Sequence, residues 1–314
     1  HRDLHSFPTR RSSDLPPHVI FSGRNPVAYV KDFDGVIFFN YRLDRMQELP
    51  ASFLMKKRLF MRMPRLYNLN VVTFTDYFYD MNKRGYSVAF DREKVEPNLC
   101  SLLSDKGIRQ IHIAESEKSS HVTFFMDGGN MTPYPNEDWE IVPSPSVSDF
   151  RSTPAMSARA VTDKIIRAMK GKDYSFVVAN FANVDVLGHT GDIKATSEAV
   201  TFVDMALGEI CKVAEKEDII LIITADHGNA ERMMNNIPSA KDKEINHTIN
   251  PVPFILFDKK FKKEIAGQEK TDAISLSEII SPDCSLADVA PTILELFEIE
   301  KPKEMTGKSL VTKI

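Results

Sequence analysis

Asp226-His227-Gly228-Asn229 follows directly on the apolar run Leu221-Ile222-Ile223-Thr224, so a carboxylate and an imidazole stand side by side where a buried strand gives way to a glycine turn. Two fragments echo this arrangement. Phe176-Val177-Val178-Ala179-Asn180 leads to Asp185 and His189, and His247 stands just ahead of Pro251-Val252-Pro253-Phe254-Ile255-Leu256. Carboxylate oxygen and neutral imidazole nitrogen together suit borderline divalent ions such as Mn2+ or Zn2+. Asp185 and His189 are one helical turn apart and can share a side of a helix. Adjacent Asp226 and His227 diverge if the backbone stays extended, but in a tight turn they can serve one ion or face two neighbouring ions. A single Asp-His pair after a strand is more often a turn or helix cap than a ligand pair. Three donor groups at the ends of strands in one sheet reverse that balance and point to a metal site.

The elements that must carry these donors alternate along the chain. Segments 36–40, 71–75, 110–114, 122–126, 176–180, 219–224 and 252–257 read as strands. Segments 41–60, 98–106, 157–170 and 194–215 read as helices, as does a final stretch opening at Ser285 or Asp288 and running through Phe297. Ser157 is the expected N-cap of its helix. Proline-rich residues 132–155 read as loop, and a connection between domains is expected near residues 80–90, where Gly85 breaks an aromatic and polar stretch. This βαβα rhythm predicts an α/β fold with a mainly parallel, doubly wound sheet covered on both faces. Functional groups of such sheets gather beyond the carboxyl ends of the strands, where the donors stand.

Composition narrows the partners. A chain of 314 residues holds one large domain or two ordinary ones. A net charge of -4 offers no basic face to nucleic acid, and no apolar run approaches the roughly 20 residues of a membrane span. Neither nucleic acid nor membrane is expected as partner, and a small anionic substrate is not excluded, because local arginines can outweigh the global balance. Cys100, Cys211 and Cys284 are dispersed and form no CxxC pair, which argues against a disulfide framework or a thiolate zinc site and for a reducing cytoplasm. Residues 1–15 are polar and rich in Arg and Ser, and read as a foreign or artefactual leader outside the fold.

Three further groups invite comparison. Arg42 and Arg45 lie on one face of the expected helix and can fork onto a phosphate or carboxylate, although their spacing alone favours a solvated basic face. Lys118, between two expected strands, can touch an anion, with an exposed loop as its default. Asp32-Phe33-Asp34-Gly35 resembles the DxDG nucleophile motif of haloacid-dehalogenase phosphatases, but its apolar run follows the aspartates instead of preceding them, which argues against that chemistry.

In combination the motifs resemble the cofactor-independent (2,3-bisphosphoglycerate-independent) phosphoglycerate mutases of the alkaline phosphatase superfamily. The matching segments include Phe38 through Arg45, Ile113 through Lys118, His121 through Phe125, Val142 through Pro145, Asn180 through Asp185 with Gly188 through Gly191, Thr224 through Asn229, His247 through Phe254, and Met305 through Leu310. The resemblance implies that Asp185, His189 and His247 bind one ion and that Asp226 and His227 bind a second. Both are divalent, with Mn2+ expected. It further implies that Arg42 and Arg45 bind substrate, that Lys118 contacts its phosphate, and that 3-phosphoglycerate and 2-phosphoglycerate are interconverted through a phosphoserine. Members are expected to be monomeric and cytoplasmic. Leu43 and Val184 stand where the family usually has proline, and Asn246 where it commonly has alanine, but no ligand is lost. The family's nucleophilic serine context has no match here, so no catalytic residue is assigned. On this pattern residues 16–88 correspond to the last part of a transferase domain and residues 89–314 to the metal-binding phosphatase domain, a C-terminal fragment with little turnover expected alone. A metal-dependent phosphatase or phosphopentomutase relative would share the Asp-His clusters but lack the Arg42, Arg45 and Lys118 contexts. A non-catalytic metal-binding protein would hold ions without phosphoglycerate.

Overall fold

The computed structural model describes residues 19–41, 46, 48–54, 66–77, 85–91, 93–234, 245–258 and 284–311. The chain forms two compact units, His1–Arg92 and Glu93–Ile314. In the first, a short hairpin of β1 (Phe21–Ser22) and β2 (Asn25–Pro26) precedes a parallel sheet of β3 (Gly35–Phe38), β4 (Asn70–Thr73) and β5 (Tyr86–Val88), with β4 central. Phe38, Val71, Tyr77 and Tyr86 form its core, against which α1 (Glu48–Leu54) lays Ala51, Phe53 and Leu54. The helix expected over 41–60 is described only as α1. Tyr41 is not helical, and Arg42 and Arg45 lie outside the described residues. Asp34 Oδ2 accepts the Lys31 N–H at 2.8 Å within the turn ahead of β3, and Asp32 Oδ1 accepts the Tyr67 N–H at 2.7 Å, tying that turn to the segment ahead of β4, so both aspartates have structural partners.

In the second unit β6 (Gln110–Glu115) lies between β7 (Glu137–Val142) and β8 (Phe176–Asn180), all parallel. All six residues of β6 are buried, as expected of a strand covered on both faces. Its period of two sorts the faces. Ile111 and Ile113 pack with Val161, Ile165 and Met169 of α4 (Ala158–Gly171) and Ile210 of α6 (Ile193–Glu217). Gln110 and His112 face the other way, and the Gln110 amide donates to Cys100 O in α2 (Leu99–Asp105) at 2.9 Å. Leu99 and Leu103 of α2 join Ile293 and Leu294 of the C-terminal helix Val289–Leu296. The remaining strands, β9 (Leu221–Thr224) and β10 (Phe254–Phe257), form an antiparallel pair. Parallel pairing thus dominates an α/β fold.

Three local expectations are corrected. Residues 122–126 are not a strand. Ser119–Val122 is a turn of helix, α3, and the chain continues through turns held by Thr123 N–H to Ser119 O at 3.1 Å, Phe125 N–H to Ser120 O at 2.9 Å and Asp127 N–H to Thr123 O at 2.8 Å. These local bonds override the β preference of Val122, Thr123 and Phe124. Residues 132–155 are not wholly loop, because β7 runs through them. Its Glu137, Asp138 and Glu140 conceal the pattern, and Arg109 meets Asp138 at 3.1 Å while Lys164 meets Glu140. Ser157 does hold the N-cap position of α4, but its hydroxyl donates to Pro143 O at 2.7 Å instead of capping the helix.

Gly128 closes the turn after α3 with φ at +62°. A Cβ there would meet Val95 O at 2.2 Å, because the backbone of Val95 donates to Gly128 O at 2.8 Å. Gly128→Ala is expected to lower stability by roughly 1–3 kcal/mol, measured as a fall in the chemical denaturation midpoint. An unchanged midpoint would contradict this close approach.

Candidate metal centre

Asp185 is the point on which the donors converge. β8 delivers the chain to α5 (Asn183–Gly188), on which Asp185 sits, with His189 as the C-cap one turn later. His189 Nε2 is 3.0 Å from Asp185 Oδ1, and His247 Nε2 is 3.1 Å from that same oxygen and 2.9 Å from His189 Nε2. Three ligand atoms of the types that take a divalent ion therefore lie together in a triangle. His189 Nδ1 donates to Ile245 O at 2.6 Å, which leaves the Nε2 lone pair bare and aimed at the other two donors. A backbone partner of this kind fixes the tautomer of a ligating histidine. These residues fit a divalent cation.

The other carboxylate oxygen has a different partner. Lys118 Nζ lies 2.6 Å from Asp185 Oδ2, and Lys118 is buried, at 6% exposure, in the tight turn Ser116–Lys118 ahead of α3. The exposed loop expected for Lys118 is thus corrected, with the helical turn of α3 as the reason. Burial alone would penalise the Asp185 charge, but the adjoining His189 ring and the hydrogen bond and charge of the Lys118 ammonium overcome it and hold the carboxyl far below the usual carboxylate range.

Asp226 and His227 form a second group beside the first. His227 Nε2 lies 3.4 Å from Asp226 Oδ2, and His121 Nε2 lies 3.6 Å from that oxygen. His121 Nδ1 and His227 Nε2 are buried without a hydrogen-bond partner. His121 joins this group although no ligand pattern in the sequence marks it. Its signal is the spacing from Lys118, since residues three apart share a helical face, but that signal is lost when the following segment is taken as strand. The His227 ring stacks on His247 with centroids 3.5 Å apart, joining the two groups. Burial lowers the pKa of His121, with the Lys118 charge adding to it.

Side chains that bind nothing directly hold this arrangement. Asn229 Nδ2 lies 3.3 Å from both Asp185 Oδ1 and His189 Nδ1. The His189 Nδ1 proton goes to the nearer Ile245 carbonyl, so the amide's hydrogen bond is to Asp185. Gly188 makes room for it, because a Cβ there would meet Asn229 Oδ1 at 1.9 Å. Glu231 accepts the Asn229 N–H at 2.6 Å, the Asn250 amide at 2.9 Å and the Thr248 hydroxyl. It thereby ties the turn after β9 to the segment that carries His247.

Glu231→Ala is expected to weaken divalent-ion binding by roughly 10–100-fold, measured by calorimetry with Mn2+, while the fold persists by circular dichroism. Full affinity would show that the bracket does not position His247. The pH dependence follows from His247, whose pKa burial lowers despite the attraction of Asp185. A lowered imidazole pKa keeps the ring neutral to lower pH, so protons compete with the ion only below about pH 6.5, the ordinary histidine value. Affinity is expected to hold from pH 8 to 7 and to fall beneath that value. A decline already between pH 8 and 7 would contradict this assignment.

Comparisons with known proteins agree with a metal centre. A model of the metalloenzyme superfamily matches residues 20–301. The 2,3-bisphosphoglycerate-independent phosphoglycerate mutase of Thermosynechococcus vestitus is 39% identical over 300 residues, which is 96% of this chain and 54% of the relative. The protein of that name from Clostridium acetobutylicum is 41% identical over 297 residues, or 94% of this chain and 54% of the relative. A crystal structure of Leishmania mexicana phosphoglycerate mutase at low cobalt concentration superimposes with a TM-score of 0.75 and 27% identity, covering 90% of this chain and 51% of that one. The chain therefore spans about half the length of the relatives it matches. With the family model covering most of its residues, the chain belongs to the metalloenzyme superfamily, and within it is similar to the 2,3-bisphosphoglycerate-independent phosphoglycerate mutases.

Proposed function

We propose that this chain is the metal-binding part of an enzyme that interconverts 3-phosphoglycerate and 2-phosphoglycerate. The observation that carries the reading is the meeting of Asp185, His189 and His247 with Lys118 on the remaining Asp185 oxygen. Two divalent ions, Mn2+ on this reading, would be held by Asp185, His189 and His247 and by Asp226, His227 and His121. When bound they neutralise the substrate phosphate and lower the pKa of an attacking hydroxyl.

The chain's own residues supply positioning. Lys118 is oriented by Asp185 so that its ammonium can take a share of the phosphate charge. Arg42 and Arg45 would grip the glycerate carboxylate or phosphate in a forked, bidentate manner. Retention matters, because glycerate released between half-reactions would turn a mutase into a phosphatase. On this reading residues 16–88 belong to a transferase domain and residues 89–314 to the phosphatase domain. The serine that carries the phosphoryl group lies outside these 314 residues. No helix among the described residues is long and apolar enough to cross a membrane, and a monomer in the cytoplasm is the proposed setting.

The 314-residue chain is expected to bind Mn2+ and, in its presence, phosphoglycerate, with little or no conversion of 3-phosphoglycerate. Lys118→Ala is expected to weaken phosphoglycerate binding about 10-fold, the scale of one lost charge-assisted hydrogen bond. Robust turnover by the chain alone would sink the assignment of the nucleophile to another segment, whereas Mn2+ binding without any phosphoglycerate binding would sink the substrate.

A further inference from the structure

On the opposite face of β6 from α4 lies a polar cluster that the proposed reaction does not use. Cys100 of α2, His112 of β6 and Asp127 of the turn after α3 are all buried, with exposures of 0%, 0% and 1%. Their ligand-type atoms lie within 4.8 Å of one another, and Cys100 Sγ is 4.0 Å from His112 Nε2. We propose that Cys100, His112 and Asp127 form a separate structural site for a zinc-like divalent ion.

Hydrogen-bond accounting carries the proposal. His112 Nδ1 lies 2.5 Å from Val122 O, so that nitrogen bears a proton. Gln110 Nε2 donates to Cys100 O, which fixes the amide and turns Gln110 Oε1 to face His112 Nε2 at 3.3 Å. Two acceptors then confront each other unless Nε2 is also protonated or a cation lies nearby. Both carboxylate oxygens of Asp127 are buried with no hydrogen-bond partner. The Cys100 thiol and the Glu137 carboxyl are its polar neighbours, close enough to interact with Asp127 and to share a proton with it when no cation is present.

The competing arrangement is a doubly protonated His112 paired with Glu137, whose Oε1 is 3.4 Å from His112 Nδ1. That pairing is disfavoured. The Nδ1 proton is taken by the nearer Val122 carbonyl, while Glu137 accepts the Trp139 indole N–H and the Tyr134 backbone N–H at 3.1 Å. Burial also lowers the pKa of His112. Burial and then Glu137 push Asp127 up to about 8, a penalty that a bound cation removes. Thiolate and carboxylate together balance the charge of a dication in this buried setting.

Sulfur, nitrogen and oxygen donors in one set favour zinc over Mn2+ or Mg2+. A tetrahedral zinc with bonds of about 2.0–2.3 Å spaces its ligands roughly 3.5 Å apart, so the three side chains would draw together around the ion. Gln110 Oε1, 3.3 Å from His112 Nε2, is the neighbouring oxygen that could complete the set. An ion here would tie α2 and β6 to the turn at Asp127, just beyond the helical turn that holds Lys118 and His121. No CxxC spacing announces such a site, because its donors come from three separate elements.

The test uses the full chain with Cys211→Ser and Cys284→Ser, which leaves Cys100 as its sole thiol, produced in cobalt-supplemented medium. The Asp185 and Asp226 groups contain no sulfur, so thiolate-to-cobalt charge-transfer absorption in the near ultraviolet reports Cys100 alone. The expected result is that band, with a tightly held cobalt that survives brief chelation and is lost in His112→Ala. Cobalt bound without the band, or a Cys100 thiol that still reacts with thiol reagents in the folded cobalt-loaded protein, would overturn the proposal.

Discussion

The antiparallel ladder between β9 and β10 aligns Thr224 with Phe254, and the Gly228–Thr248 bridge extends the pairing beyond the strands. The approach of His247 to the candidate metal centre depends on that alignment. His247 belongs to an irregular segment and is half exposed, so nothing in its own stretch of chain directs it to Asp185. The paired strands set the height of the segment, the Thr248 N–H to Gly228 O bond at 2.8 Å fixes its approach, and Glu231 gathers the polar groups on both sides. Gly228 permits the contact, because a Cβ there would meet Thr248 Oγ1 at 2.2 Å.

Within that frame the electrostatics divide one carboxylate between two duties. Asp185 Oδ2 faces the Lys118 ammonium, while Oδ1 faces two imidazole nitrogens. Burying a carboxylate or an ammonium alone is costly, and a close hydrogen-bonded partner offsets part of that cost. The lysine thus keeps Asp185 ionised and leaves an oxygen free for a cation. The stacked His227 and His247 rings are compatible with neutral imidazoles, the form that binds metal.

In the second unit Lys118 and Asp185 follow the carboxyl ends of the parallel strands β6 and β8, Asp226 and His227 follow β9 of the antiparallel pair, and His247 precedes β10, while the bulk of the core packs on the strand faces. Ile111 and Ile113 bury one side of β6 against α4 and α6, while Gln110 and His112 fill the other with polar groups. A strand buried on both faces ordinarily carries apolar residues throughout. The polar side of β6 is therefore costly unless its hydrogen bonds are completed, and the unpartnered Asp127 oxygens are where they are not.

Much was legible in the residues. The apolar runs of β6, β8 and β9, the helices α2, α4 and α6, and the Asp-His clusters all stand close to where their patterns put them, because periodicity and short-range spacing are local properties. The acidic strand β7 was hidden because its burial comes from pairing with β6, and α3 was mistaken because its local hydrogen bonds outweigh the β preference of its residues. A strand over 122–126 would put Lys118 in an exposed loop and hide the three-residue spacing of Lys118 and His121, whereas the helical turn places both beside Asp185 and Asp226. By itself the sequence determined which donor types are present and that Asp185 and His189 share one helical turn. Only the tertiary structure brought His247 to them across 62 residues of chain, set Lys118 on the other oxygen and closed Cys100, His112 and Asp127 into one cluster. The reason is physical: side-chain preferences act over a few residues, while convergence to 3 Å is decided by strand pairing and packing between segments far apart in the chain.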